Sequence, residues 1–91
     1  MKFEWDKEKA KANFKKHGVS FEEAELAFED KKAVEILDEL NSNNEIRYQI
    51  IAFSPSRLLF VAFTVREERI RIISARKANA KQVKIYNEYN G

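Results

Sequence analysis

The chain has no cysteine, one histidine, one proline and two glycines in 91 residues. Without cysteine there is no disulfide framework and no thiolate chemistry, a composition compatible with a reducing cytosol. With a single histidine and no Asp/Glu cluster at ligand spacing, neither a metal nor another cofactor is expected. So little Gly and Pro leaves no long flexible linker, and residues 1–91 are expected to form a single domain. Long apolar runs are missing too. The start MKFEWDKEKAK lacks the apolar stretch of a signal peptide, and LLFVAF is far too short to span a bilayer. The expectation is a soluble cytoplasmic protein with no membrane contact. A domain of this size buries only about two thirds of its unfolded surface, which favours a shallow surface site over an elaborate buried one.

Charge is present in quantity and unevenly placed. Residues 1–17 carry six Lys/Arg against three Asp/Glu, residues 18–45 two against nine, and residues 46–91 nine against three. A basic C-terminal half is what a polyanion-binding face needs, since each neutralised phosphate releases counterions. The plainer alternative is a solvated polar face.

Asp6 is placed to cap a first helix carrying Ala10, Phe14 and His17, with Trp5 packing just before it and Gly18 ending it. Ser20 and Glu23 form a capping-box pattern at the start of a second helix with Phe21, Ala24 and Phe28 as its apolar stripe. Two short helices across a Gly-containing turn suggest a helix-turn-helix, but the second carries Glu22, Glu23, Glu25 and Glu29, which phosphate repels. AVEIL reads as a strand, and DELNSNNE after it as a turn region. IRYQIIAF, LLFVAFTV and RIRIISA follow as strands whose connections SPSR and REE permit only antiparallel hairpins. Asn79 with Gln82 can cap a last helix running through Tyr89. The expected fold class is α+β: two N-terminal helices, an antiparallel four-stranded sheet and a C-terminal helix.

Side-chain alternation divides the meander into two faces. Pairing Phe53 with Leu58 places Arg47, Gln49, Ile51 and Phe53 beside Thr64, Ala62, Phe60 and Leu58, and the second hairpin adds Arg69, Arg71 and Ile73. The other face, with Ile46, Tyr48, Ile50, Leu59, Val61, Phe63, Ile70 and Ile72, is apolar and needs the N-terminal helices as a cover. On the first face Arg47, Arg69 and Arg71 gather at one end near Thr64, forming a cationic shelf. Ile51, Phe60 and Ile73 gather at the other, where Val83, Ile85 and Tyr86 of the last helix can cover them. Arginine suits such a shelf because its planar fork meets phosphate bidentately. The competing account is that these arginines shield the sheet through weak ion pairs with Glu45, Glu67 or Glu68.

The segments FEWDKEKAKANFKKHGVSFEEAELAF, EIRYQIIAF and IRIISARKA resemble the BrnT family of toxins from bacterial type II toxin-antitoxin modules. The most specific pieces are WD followed by N..KHGVSFEEA, and RIISARKA followed by a basic, tyrosine-containing helix. The resemblance implies a RelE-like fold and ribonuclease activity, neutralised by a BrnA-like ribbon-helix-helix antitoxin. Operator DNA would be met only through the antitoxin complex. The implied chemistry is attack of a ribose 2′-oxygen on the adjacent phosphate, which needs a proton acceptor, charge stabilisation and a proton donor. Arg71 and Arg47 are candidates for phosphate stabilisation, and Arg76 matches the family's SAR but falls at the far end of its strand. His17 is a candidate base by its ordinary pKa, or a helix-terminal histidine favoured by the dipole and packed on Phe14. Tyr86 is a candidate proton donor or a core residue. Arg47, Arg69, Lys77, Lys81 and Lys84 are candidate RNA contacts. Two function classes stay open: an RNA endonuclease toxin, and a catalytically silent antitoxin-binding module acting in transcriptional autoregulation.

Overall fold

In the computed structural model, which describes residues 1–39 and 44–91, the Asp6 carboxylate accepts hydrogen bonds from the backbone N–H groups of Glu8 and Lys9 at 2.8 and 3.1 Å. It thereby fixes the start of helix α1, Lys7–His17. The helix ends on Gly18, whose φ of 70° is the left-handed conformation glycine adopts without a Cβ penalty. Helix α2, Phe21–Ala27, begins on Ser20, which accepts from the Glu23 N–H. Only half of the expected capping box forms. The Glu23 carboxylate binds Arg57 at 2.8 and 3.0 Å and the Ser54 hydroxyl at 2.8 Å, pinning α2 to the loop at residues 54–57. Arg57 beside it holds the Glu23 carboxyl below its ordinary pKa.

The sheet departs from expectation. It has five strands and mixed direction, because Lys2–Glu4 (β1) pairs in parallel with the start of Arg69–Lys77 (β5). Val34–Asp38 (β2), Arg47–Phe53 (β3) and Leu58–Arg66 (β4) complete it in the order β1-β5-β4-β3-β2, with antiparallel pairs throughout apart from β1. The DELNSNNE turn region lies partly outside the described residues, at Leu40 to Asn43. Phe53 pairs with Leu58 and Arg47 with Thr64, the register expected from the SPSR connection. The β4–β5 hairpin turns through Glu67 and Glu68, both at positive φ (49° and 64°), the left-handed pair a type I′ turn requires. Helix α3, Ala80–Asn90, carries the expected capping box between Asn79 and Gln82.

Helices α1 and α2 cover one face of the sheet, where Val19, Phe21, Ala24 and Ala27 pack on Ile50, Leu59, Val61, Phe63, Ile70 and Ile72. Two expected members differ: Ile46 is exposed, and so is Phe14 of α1. The reason for Phe14 is its neighbour. Asn13 is buried and its side-chain amide pairs with both backbone groups of Ala75, donating at 2.8 Å and accepting at 3.1 Å, while also donating to the Val19 carbonyl at 3.0 Å. Along β5 beyond Arg71, where β1 has ended, this side chain takes the place of a neighbouring strand, and it fixes the rotation of α1 so that Phe14 points outward. Helix α3 covers part of the opposite face through Ile85 and Tyr86, over Val34, Ile51, Leu58 and Phe60. Val83, expected in that contact, is exposed. No helix among the described residues is long and apolar enough to cross a membrane.

Candidate active site

The face that α3 leaves open is built in rows across the strands. Register aligns Asp38, Arg47, Thr64, Arg71 and Glu4, one residue from each strand. The row beside it runs Lys2, Arg69 and Arg66; the row on the other side runs Ile36, Gln49, Ala62 and Ser74. Thr64 is buried under the arginines, its hydroxyl donating to the Ile46 carbonyl at 2.7 Å. The expected cationic shelf therefore forms, with an acidic member that sequence reasoning missed. Glu4 accepts from Arg71 Nη1 at 3.0 Å and lies 3.7 Å from Arg69 Nη1. Arg66, farther along, is held bidentately by Glu45 at 2.7 and 2.8 Å, with half of its side chain exposed.

Arg76 reaches the same face through a β-bulge. Phe63 pairs with Ile72 but Ala62 with Ser74, so Ile73 is an extra residue on β5. Before the bulge the odd positions, Arg69 and Arg71, face outward; after it the even positions, Ser74 and Arg76, do. Ile72 and Ala75 both stay in the core as a result. The Arg76 guanidinium lies 4.6 Å from the centre of the Phe60 ring and contacts Gln82 Oε1 at 3.3 Å. The partners of Arg71 and Arg76 on β4 are Thr64 and Phe60, four residues apart, so the two arginine backbones are separated by roughly 13 Å. At that spacing they suit one extended polyanion better than one point charge.

The other expected residues lie elsewhere. His17 is the last residue of α1, in the helical layer on the opposite side of the sheet, half-buried in a basic last turn that complements the helix dipole. Tyr86 is buried beneath α3, donating its hydroxyl to Asp30 Oδ2 at 2.8 Å and meeting Phe53 edge-on at 5.4 Å. Burial, with the Asp30 carboxylate beside it, pushes the Tyr86 phenol up to about 12. Burial raises the Asp30 carboxyl, but the N–H groups of Phe53 and Lys32 and the Tyr86 hydroxyl together hold it below its ordinary value. Lys77 follows Arg76 and by alternation turns to the other face; Lys81 and Lys84 lie on the exposed side of α3. The structure thus gathers Arg47, Arg69 and Arg71 at one end of the face, places Arg76 at the other end of it, and sets His17, Tyr86 and Lys77 apart from them. Glu4 was missed with its strand, although the Lys-Phe-Glu alternation was the available signal. Gln82 was seen only as a cap, yet it also touches Arg76.

Fold and face define a small α+β protein with a solvent-open arginine surface on its sheet. The family model described as ribonuclease toxin, BrnT, of type II toxin-antitoxin system matches residues 5–82, and the chain belongs to that family. The matched segment includes Arg47, Arg69, Arg71 and Arg76 and stops short of Lys84 and Tyr86. No curated protein matches the chain.

Proposed function

We propose that the chain, as a single toxin domain of RelE-like kind, cleaves RNA in the cytoplasm by metal-independent attack of a 2′-oxygen on the adjacent phosphate. The observation that carries this reading is the bulge in β5, which puts Arg76 on the face already holding Arg71, Arg47 and Arg69. Arg71 stabilises the charge that grows on the oxygens of the reacting phosphate, and Arg76, roughly 13 Å along the same face, holds a phosphate farther along the RNA strand. Arg47 and Arg69 hold flanking phosphates, and Lys81 and Lys84 steer the backbone. An incoming phosphate competes with Glu4 for Arg71, and the carboxylate it displaces is placed to accept the 2′-hydroxyl proton. His17 is the second choice of acceptor because it belongs to the opposite layer. Tyr86 can donate a proton to the leaving 5′-oxygen only by giving up Asp30. Metal independence belongs to the proposal because the arginines of this face can themselves supply the charge stabilisation that a cation would otherwise give. Neutralisation falls to a BrnA-like ribbon-helix-helix antitoxin that covers the arginine face, and operator DNA is bound through that complex.

The test is an RNA oligonucleotide with one 2′-deoxy substitution at the scissile nucleotide. It should bind with unchanged affinity, since phosphate contacts dominate, and remain uncut there; cleavage of unmodified RNA should survive a chelator. Cleavage at the deoxy position, or loss of activity on chelation, replaces this mechanism. No cleavage of unmodified RNA, with or without ribosomes, favours the catalytically silent antitoxin-binding module.

A further inference from the structure

On the side of the molecule away from the arginine face, α1 and α2 enclose an open groove of about 600 Å³. Its walls include Trp5, Phe14 and Phe21, and Lys7, Lys11 and Lys15 stand along its α1 side at intervals of one turn. Phe14 is 56% exposed at the groove, held there by the anchoring of Asn13 on β5. Scattered exposed apolar residues need no explanation. Here, however, an outward aromatic, a half-buried Trp5 and three regularly spaced cations share one concave surface. Glu8 lies 3.8 Å from Lys11, with both side chains more than four-fifths exposed, so this pair does little to neutralise the row.

We infer that this groove is a second anchoring site for the antitoxin, taking an acidic amphipathic helix distinct from the segment that covers the arginine face. The inference rests on the toxin reading above, which supplies the partner. Its chemistry comes from the groove. Lys7 to Lys15 spans about 12 Å of helix axis, room for roughly two turns of a docked helix. Carboxylates one turn apart on that helix would meet the lysines, and two large apolar side chains would fill the space beside Phe14 and Trp5. A nucleic-acid strand fits less well, because Glu22 stands on the α2 side of the same groove, facing any phosphate held by the lysines.

The experiment titrates full-length cognate antitoxin into the intact chain and into two variants, Phe14→Ser and the triple Lys7→Glu/Lys11→Glu/Lys15→Glu. RNA binding and cleavage by the free proteins are followed in parallel. All four side chains are exposed, so melting curves should stay close to that of the parent. Both variants should bind antitoxin roughly tenfold or more weakly. The triple variant should do so through slower association with a shallower salt dependence, and Phe14→Ser through faster dissociation. RNA cleavage should be unchanged. Unaltered antitoxin affinity overturns the proposal, as does a loss of RNA binding with antitoxin binding intact, which would make the groove an RNA contact. If the parent chain itself binds no antitoxin, the toxin-antitoxin reading fails and this one with it.

Discussion

Arg71 and Ile72 are adjacent in the chain and lie on opposite faces of the sheet, so truncating each one interrogates a different layer. Ile72 is 2% exposed among Phe63, Ile70 and the residues of α1 and α2. Its replacement by alanine should cost about 2 to 5 kcal/mol, and by valine about 0.5 to 1.5 kcal/mol. A domain of this size has a total stability of roughly 5 to 14 kcal/mol. At about 4 to 8 °C per kcal/mol, Ile72→Ala should lower Tm by on the order of 10 to 40 °C. Arg71→Ala removes a pair with Glu4 in which both side chains are 29% exposed, a loss of about 0 to 1 kcal/mol and at most a few degrees. Its effect belongs to RNA: affinity should fall for every sequence, the salt slope by about one, and cleavage by roughly 10²-fold to 10³-fold. Thermal melts beside single-turnover cleavage over a range of salt give both quantities for each variant. The assignment of faces is wrong if Arg71→Ala melts like Ile72→Ala, or if Ile72→Val retains its Tm and loses cleavage.

Glu4→Gln should separate binding from chemistry: releasing Arg71 and Arg69 tightens RNA binding, while loss of the proton acceptor slows cleavage roughly 10²-fold or more; weaker binding in a filter assay would contradict the competition. Asn13→Ala orphans the Ala75 N–H and C=O, at about 1 to 3 kcal/mol for each buried group, and hydrogen exchange at the Ala75 amide should accelerate with the drop in Tm. A phenol whose folded pKa is raised contributes stability that is complete below the unfolded value of 10.0 and lost as pH climbs towards about 12; the parent should weaken across that window in denaturant titrations, and Tyr86→Phe should lack that component. Replacing Glu67-Glu68 by Asn-Gly relieves two left-handed glutamates, and should raise stability by about 0.5 to 2 kcal/mol in the same titrations.

Much of this fold was legible because local chemistry and global register agree. The Asp6 cap, the Gly18 stop, the Asn79–Gln82 box and the Phe53–Leu58 pairing each follow from a few neighbouring residues. What was not legible depends on distant partners. A three-residue strand such as Lys2–Glu4 has too little pattern of its own and exists because β5 offers it an edge. Simple alternation carried through Ile73 predicts the wrong face for Arg76; the extra residue is visible only once Ala62 and Phe63 are seen to skip it. Phe14 looked like the buried member of α1 because hydrophobicity was weighed without the amide demand of Ala75, which Asn13 meets. Of the site, the Arg47–Thr64–Arg71 row followed from register, whereas the position of Glu4 and the commitment of Tyr86 to Asp30 required tertiary contacts.

The amide of Asn13 also has a bearing on how the protein behaves in a crowd. An unpaired stretch of strand is a template on which another chain can add itself, and proteins commonly block such edges with charge, proline or a covering element. Here the backbone groups of Ala75 are closed off by one side chain, through a single pair of hydrogen bonds to that residue. Losing it would leave a sticky border rich in isoleucine and arginine, so the first symptom of an Asn13 variant should be concentration-dependent clumping during expression, before any fault in its chemistry is seen.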